Sequence, residues 1–196
     1  MANTRRVLLV KLADEDLAPY YRGVQQSLSA SQRNSEHFQT EEGTTQVFKA
    51  PTDAGIDLVM PMSHVCPPGM VTKLPLGISI AAYDISTWCG GTPLSPRPGV
   101  TVEEWTPITT FLVVRSSTGT KTPLRQANAP GVIDQGYRGI VMGAVDNISD
   151  APFRAEQGTR YFQIIACDGV SFDELRVLET LPAAVRNQRG FGSTGQ

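Results

Sequence analysis

The sequence predicts an all-β protein with little helix, a sandwich or barrel of many short strands. Two observations carry that prediction. Apolar runs of four to six residues recur at 56–60, 70–74, 78–82, 111–114, 140–145 and 161–166, with Pro, Gly or Asp between them, which is the rhythm of strands joined by turns. The 18 glycines and 14 prolines among 196 residues are too many for a helical bundle. At this length a chain buries a core without staples or metals, and a single domain over 1–196 is expected.

Taken in order, residues 5–12 alternate weakly and read as a first strand. Residues 14–30 suit a short helix around Leu17, Val24 and Leu28. The Ser, Gln, Asn, Glu and Thr of 29–46 read as a solvated loop. The six apolar runs follow as strands. Residues 87–109, with Cys89-Gly90-Gly91, Pro93, Pro96 and Pro98, read as a long irregular loop, and 186–196 as a flexible glycine-bearing arm.

The 17 Lys+Arg against 19 Asp+Glu exclude a basic, phosphate-tracking nucleic-acid binder. Cys66, Cys89 and Cys167 are odd in number and widely spaced, which disfavours a disulfide framework or a zinc site. His37 and His64 form no ligand pair with them and read as ordinary surface or loop residues. The apolar run at 7–10 is too short for a signal peptide, and breakers interrupt residues 74–94, so no membrane span is expected. The expectation is an intracellular protein, cytoplasmic or nuclear and not secreted. Asn147-Ile148-Ser149 is then a chance glycosylation sequon.

Three segments carry chemistry. Arg115-Ser116-Ser117 follows the apolar run 111–114 and sets a guanidinium and two hydroxyls at a strand end, where they form an anion cradle or simply a solvated turn. Asp134-Gln135-Gly136-Tyr137-Arg138-Gly139 follows Gly131-Val132-Ile133, leading from a strand to a carboxylate, which is also an ordinary turn residue. Arg189-Gly190-Phe191-Gly192-Ser193-Thr194-Gly195 flanks an aromatic with glycines, as a lid closing on a ring or a frayed tail would.

Together and in order, these segments resemble the five motifs of the trimeric dUTPase family, the deoxyuridine triphosphate nucleotidohydrolases. Asp53-Ala54-Gly55-Ile56-Asp57-Leu58 is similar to the first, Arg115-Ser116-Ser117 to the second, and the segment from Asn128 to Gly139 to the third. Gly158-Thr159-Arg160-Tyr161-Phe162-Gln163 resembles the fourth and Phe191-Gly192-Ser193-Thr194-Gly195 the fifth. The likeness covers 51–83 and 110–196, and leaves 20–50 and 87–109 as insertions. It implies a jelly-roll-like β-barrel whose C-terminal arm is exchanged in a homotrimer, and hydrolysis of dUTP to dUMP and pyrophosphate with Mg²⁺.

By the same resemblance Asp134 activates the water, Arg115, Ser116, Ser117, Gln163 and Arg186 hold the phosphates, and Asp57 reaches the metal through water. Asn128, Gly131, Val132 and Ile133 form a narrow hairpin slot for uracil. Tyr137 packs on the deoxyribose, and Phe191, with Gly192, Ser193 and Thr194, closes over the base. Where the family reads Arg-Gly-x-Gly-Gly-Phe, this chain reads Arg186-Asn187-Gln188-Arg189-Gly190-Phe191, so either Arg186 or Arg189 takes the arginine role. Gly119 and Pro123 argue against the short helix the family often starts after its second motif. Two alternatives stand. A dCTP deaminase shares the fold but needs a Glu at about Ala144, and a silent dUTPase-like protein would bind a partner through its insertions.

Overall fold

The computed structural model describes residues 3–31, 35–40, 43–48, 53–92 and 95–184. In chain order the elements are β1 (Asn3–Leu12), a 3-10 turn (Glu15–Leu17), α1 (Ala18–Ser31), β2 (Ser35–Thr40), β3 (Gly43–Phe48), β4 (Gly55–Val59), β5 (His64–Cys66), β6 (Val71–Pro75), β7 (Ile78–Thr92) and β8 (Ser95–Ile108). Then come β9 (Thr110–Val114), α2 (Ser116–Lys121), β10 (Leu124–Gln126), β11 (Gly131–Ile133), β12 (Met142–Asn147), β13 (Phe153–Ala155), β14 (Arg160–Ala166) and β15 (Glu174–Val177). The strands form sheets ordered β15-β1-β7-β8, β10-β12-β6 and β11-β9-β14-β4, with the pairs β13-β5 and β2-β3 beside them. The all-β, jelly-roll-like expectation holds.

The first strand explains its own sequence. Leu8 and Val10 face the main core, while Val7 and Leu9 face a second cluster with Ala81, Tyr83 and Ile85. Both faces are covered, so the strand is a continuous apolar run rather than an alternation. Leu17 at the end of the 3-10 turn and Tyr21 of α1 enter the main core, and Val24 and Leu28 pack against it, as the helical spacing predicts. Gly77, at φ +68°, turns the chain where a Cβ would lie 2.8 Å from Leu17 Cδ1. Asn147 belongs to the core: it is fully buried, donates to Cys66 O and Ala151 O at 2.8 Å each, and accepts from Ser149 N and Ser149 Oγ.

Three expectations are corrected. Within 29–46, the start of the segment extends α1 and the rest holds β2 and β3, which pair only with each other. Its residues are mostly polar, so β-formers such as Thr44 and Thr45 conceal it from a hydrophobicity reading. Within 87–109 lie the distal part of β7 and most of β8, a long hairpin with a register shift between Cys89 and Gly91. Its prolines are tolerated because β8 is an edge strand. Finally, α2 does form. Thr118 is buried and donates to Tyr161 O at 2.7 Å, and Pro123 falls just beyond the C-cap Thr122. Tertiary docking outweighs weak propensity here.

Candidate active site

Strand β4 alternates, turning Ile56 and Leu58 inward and Asp57 outward. In register beside Asp57 stands Gln163 of β14, and beside Gln163 stands Val113 of β9. Gly55 makes room for that row: a Cβ there would meet Gln163 Oε1 at 2.9 Å and Ile165 Cγ2 at 2.7 Å. Arg115 leaves β9 with its N–H bonded to Tyr161 O, which aims its side chain back across the sheet. Arg115 Nε donates to Asp57 Oδ1 at 2.7 Å, and Arg160 donates to Asp57 Oδ2 at 3.1 Å. Arg115 also reaches Ser117 Oγ and Arg160 O, each at 3.4 Å.

Two guanidiniums thus share one carboxylate and leave a net positive charge. Arg115 and Arg160, with Lys121, Ser117 and Thr118, line an open cavity of about 570 Å³ that has no carboxylate in its wall. Such a wall attracts a polyanion. Behind it, the Tyr20 hydroxyl donates to Asp57 O at 3.0 Å. Burial and the Asp57 carboxylate push the Tyr20 hydroxyl pKa up, against the pull of Arg160 and Arg115.

A second group runs from the middle of β9 to its far end. Gly131 is buried where a Cβ would meet Gln126 Nε2 and Leu112 O at 3.4 Å and Asn128 Nδ2 at 3.5 Å. Gln126 acts as a strand partner, donating to Leu112 O and accepting from Val114 N. Val132 and Asn128 are exposed, and Asp134 is half-buried just past β11. Tyr137 N–H closes a turn on Asp134 O, and the Tyr137 hydroxyl donates to Ile140 O at 2.9 Å. Burial pushes that hydroxyl's pKa up. Tyr137 lines a cavity of about 580 Å³ with Lys11, Ser79 and Met142. The expected hairpin over 128–134 is instead a corner. β10 pairs with β12 and β11 with β9, so the chain changes sheets there.

The register fixes how far apart the two groups are. Ile133 pairs with Thr110, so Asp134 sits beyond the start of β9 while Arg115 follows its end. At about 3.4 Å per residue, that is a separation of roughly 17–20 Å within one chain.

The dUTPase family model matches residues 100–195. A deoxyuridine 5'-triphosphate nucleotidohydrolase from Desulfitobacterium hafniense is 31% identical over 150 residues, covering 76% of this chain and 85% of that protein. The chain belongs to the dUTPase family. The Pol polyprotein of Ovine maedi visna related virus is 28% identical over 177 residues, covering 90% of this chain, which spans 14% of that polyprotein. Among solved structures, the Staphylococcus bacteriophage 80alpha dUTPase matches with a TM-score of 0.47 at 18% identity, over 90% of this chain and 98% of that one. The EIAV dUTPase gives a TM-score of 0.42 at 21% identity, over 70% and 87%.

In this dUTPase the fold gathers Asp57, Arg115, Ser117 and Gln163 at one end of β9, with Ser116 exposed on the first turn of α2. It sets Ile133, Asp134 and Tyr137 toward the other, while Gly131 pairs with Leu112 at the middle of β9 and has Asn128 Nδ2 beside it. Within one chain it does not bring the groups together. Arg186, Arg189, Phe191, Gly192, Ser193 and Thr194 lie outside the described residues. Sequence reasoning gave no role to Arg160, Lys121, Gln126 or Tyr20. Arg160 stands inside the fourth motif and was within reach of it, whereas the other three depend on non-local packing. Among the described residues no group of three or more His, Cys, Asp and Glu could hold a metal. Asp57, its two carboxylate oxygens bonded to Arg115 and Arg160, is the residue of the cradle that could reach a cation through water.

Proposed function

We propose that this dUTPase-family protein hydrolyses dUTP to dUMP and pyrophosphate at sites shared between copies in a homotrimer. One observation carries the sharing: the cationic cradle and Asp134 stand at opposite ends of β9, too far apart for one chain to hold a phosphate and aim a water at it. Reacting atoms must approach to about 3–3.5 Å, so the cradle of one copy meets the Asp134 of another. Symmetry then repeats the site.

In this reading Asp134 takes a proton from the attacking water, as a carboxylate at a strand end open to substrate can. Arg115, Ser116, Ser117 and Gln163 receive the developing pyrophosphate, and fixed donors do so without reorganising. Arg160 and Lys121 add positive charge to the same wall. Mg²⁺, when bound, supplies further neutralisation of the phosphates, with Asp57 the residue to hold it through water. Asn128, Gly131, Val132 and Ile133 read the base, Tyr137 packs on the sugar, and Phe191 with Gly192, Ser193 and Thr194 closes the site. Either Arg186 or Arg189 brings the arm's guanidinium. The deaminase alternative gains nothing, because Ala144 is a buried apolar residue of β12.

The test is pyrophosphate release from dUTP, run beside UTP and beside ammonia release from dCTP. The expected outcome is turnover of dUTP alone, lowered ~10²–10⁴-fold by Asp134→Asn. Turnover of dUTP by Asp134→Asn at the unmodified rate would overturn the assignment of the base.

A further inference from the structure

Strand β4 is the edge of its sheet. An edge strand leaves carbonyls on its outer side to which no neighbouring strand donates. At Asp57 that opening coincides with the phosphate cradle: both carboxylate oxygens are drawn outward by Arg115 and Arg160, at 2.7 and 3.1 Å.

We infer that Tyr20 of α1 is a positioning residue for the phosphate site, its hydroxyl fixing Asp57 through the backbone carbonyl while the side chain holds the two arginines. This rests on the functional reading above and extends it to a residue outside all five motifs. The Tyr20 hydroxyl donates to Asp57 O at 3.0 Å. Its ring is held edge-on to Tyr21, with centroids 5.0 Å apart and planes at 83°, and Tyr21 is fully buried. At the other side of the helix, Gln25 Oε1 accepts from Val177 N at 3.2 Å, tying α1 to β15. The helix is therefore a rigid mount. Between it and β4 lies a cavity of about 290 Å³ whose wall includes Tyr20, Asp57, Arg160 and Phe172. Arg160 lines both this cavity and the cationic one, and Asp57 joins Tyr20 to Arg160 and Arg115.

The experiment uses the whole chain and two variants, Tyr20→Phe and Gln25→Ala. Tyr20→Phe keeps the ring packing and removes only the donor. Calorimetric titration measures binding of dUMP and of the non-hydrolysable α,β-imido analogue of dUTP. The expected result is a loss of about fivefold for the triphosphate analogue, the scale of one hydrogen bond, with dUMP affinity unchanged. Gln25→Ala loosens the helix at its other tie and should lower Tm without that split. Equal affinities for Tyr20→Phe and the unmodified protein on both ligands, or an equal loss on both, would overturn the inference. Absence of dUTP turnover by the unmodified protein would instead overturn the functional reading on which it rests.

Discussion

Mixing two inactive variants should restore turnover. Arg115→Gln removes the guanidinium of the cradle, and Asp134→Asn removes the base. Alone, the first should lose roughly 10²–10³-fold as a fixed charge-stabilising donor does, and the second ~10²–10⁴-fold as a general base does. Neither change touches the other group, because the register places them at opposite ends of β9. If each site draws Arg115 from one copy and Asp134 from another, random assembly of equal amounts completes about a quarter of the sites. The mixture should therefore recover about a quarter of the unmodified rate, far above either parent. Co-expression with two distinct tags and pyrophosphate release from dUTP provide the assay; isolating the doubly tagged trimers removes the inactive ones and should raise the recovery to about a third. If both groups acted from one chain, every chain in the mixture would carry a lesion and no ratio would restore activity. Verified mixed assemblies that remain at the parental rate would refute the sharing argument.

The remaining predictions concern stability. Gly143→Ala in β12 would place a Cβ 2.2 Å from Cζ of the fully buried Phe162. Overpacking of a closed core costs ~1–3 kcal/mol, which in a chain of this size lowers Tm by roughly 2–4 °C per kcal/mol; an unchanged Tm by scanning calorimetry would show that the ring is free to move. With pH, the Arg176 guanidinium holds the Glu174 carboxyl below its ordinary 4.5, and Arg6 holds Asp168 below its ordinary 3.8. Both folded-state values are depressed, so their stabilisation is complete above the ordinary values and is lost as pH falls through the folded ones. Thermal melts should be level from neutrality down to about pH 5 and then fall in acid; a melting temperature that rises on acidification below 4.5 would contradict the pairing.

Local chemistry was legible where burial and turn rules act on neighbouring residues. Residues 5–12 announced a first strand, though not that both of its faces are covered, and the resemblance to the family's motifs announced which side chains to look for. Asp57, Arg115 and Gln163 could be named as candidates from the chain alone. The ribbon of β2 and β3 was not legible, because its residues are mostly polar and carry no regular apolar alternation. Nor was α2, whose poor helix formers are held by Thr118 bonding to Tyr161 O, 43 residues away in sequence.

The sequence by itself determined the strand-rich class, the family and the chemical character of the site, since each follows from residue type and short-range spacing. Only the tertiary structure decided which groups meet: that Arg160 joins Arg115 on Asp57, that Tyr20 braces Asp57 from behind, and that Asp134 lies a strand's length from the cradle. Those facts depend on strand register and on helix docking, where contacts between distant residues compete for the same space, and no local pattern records the outcome.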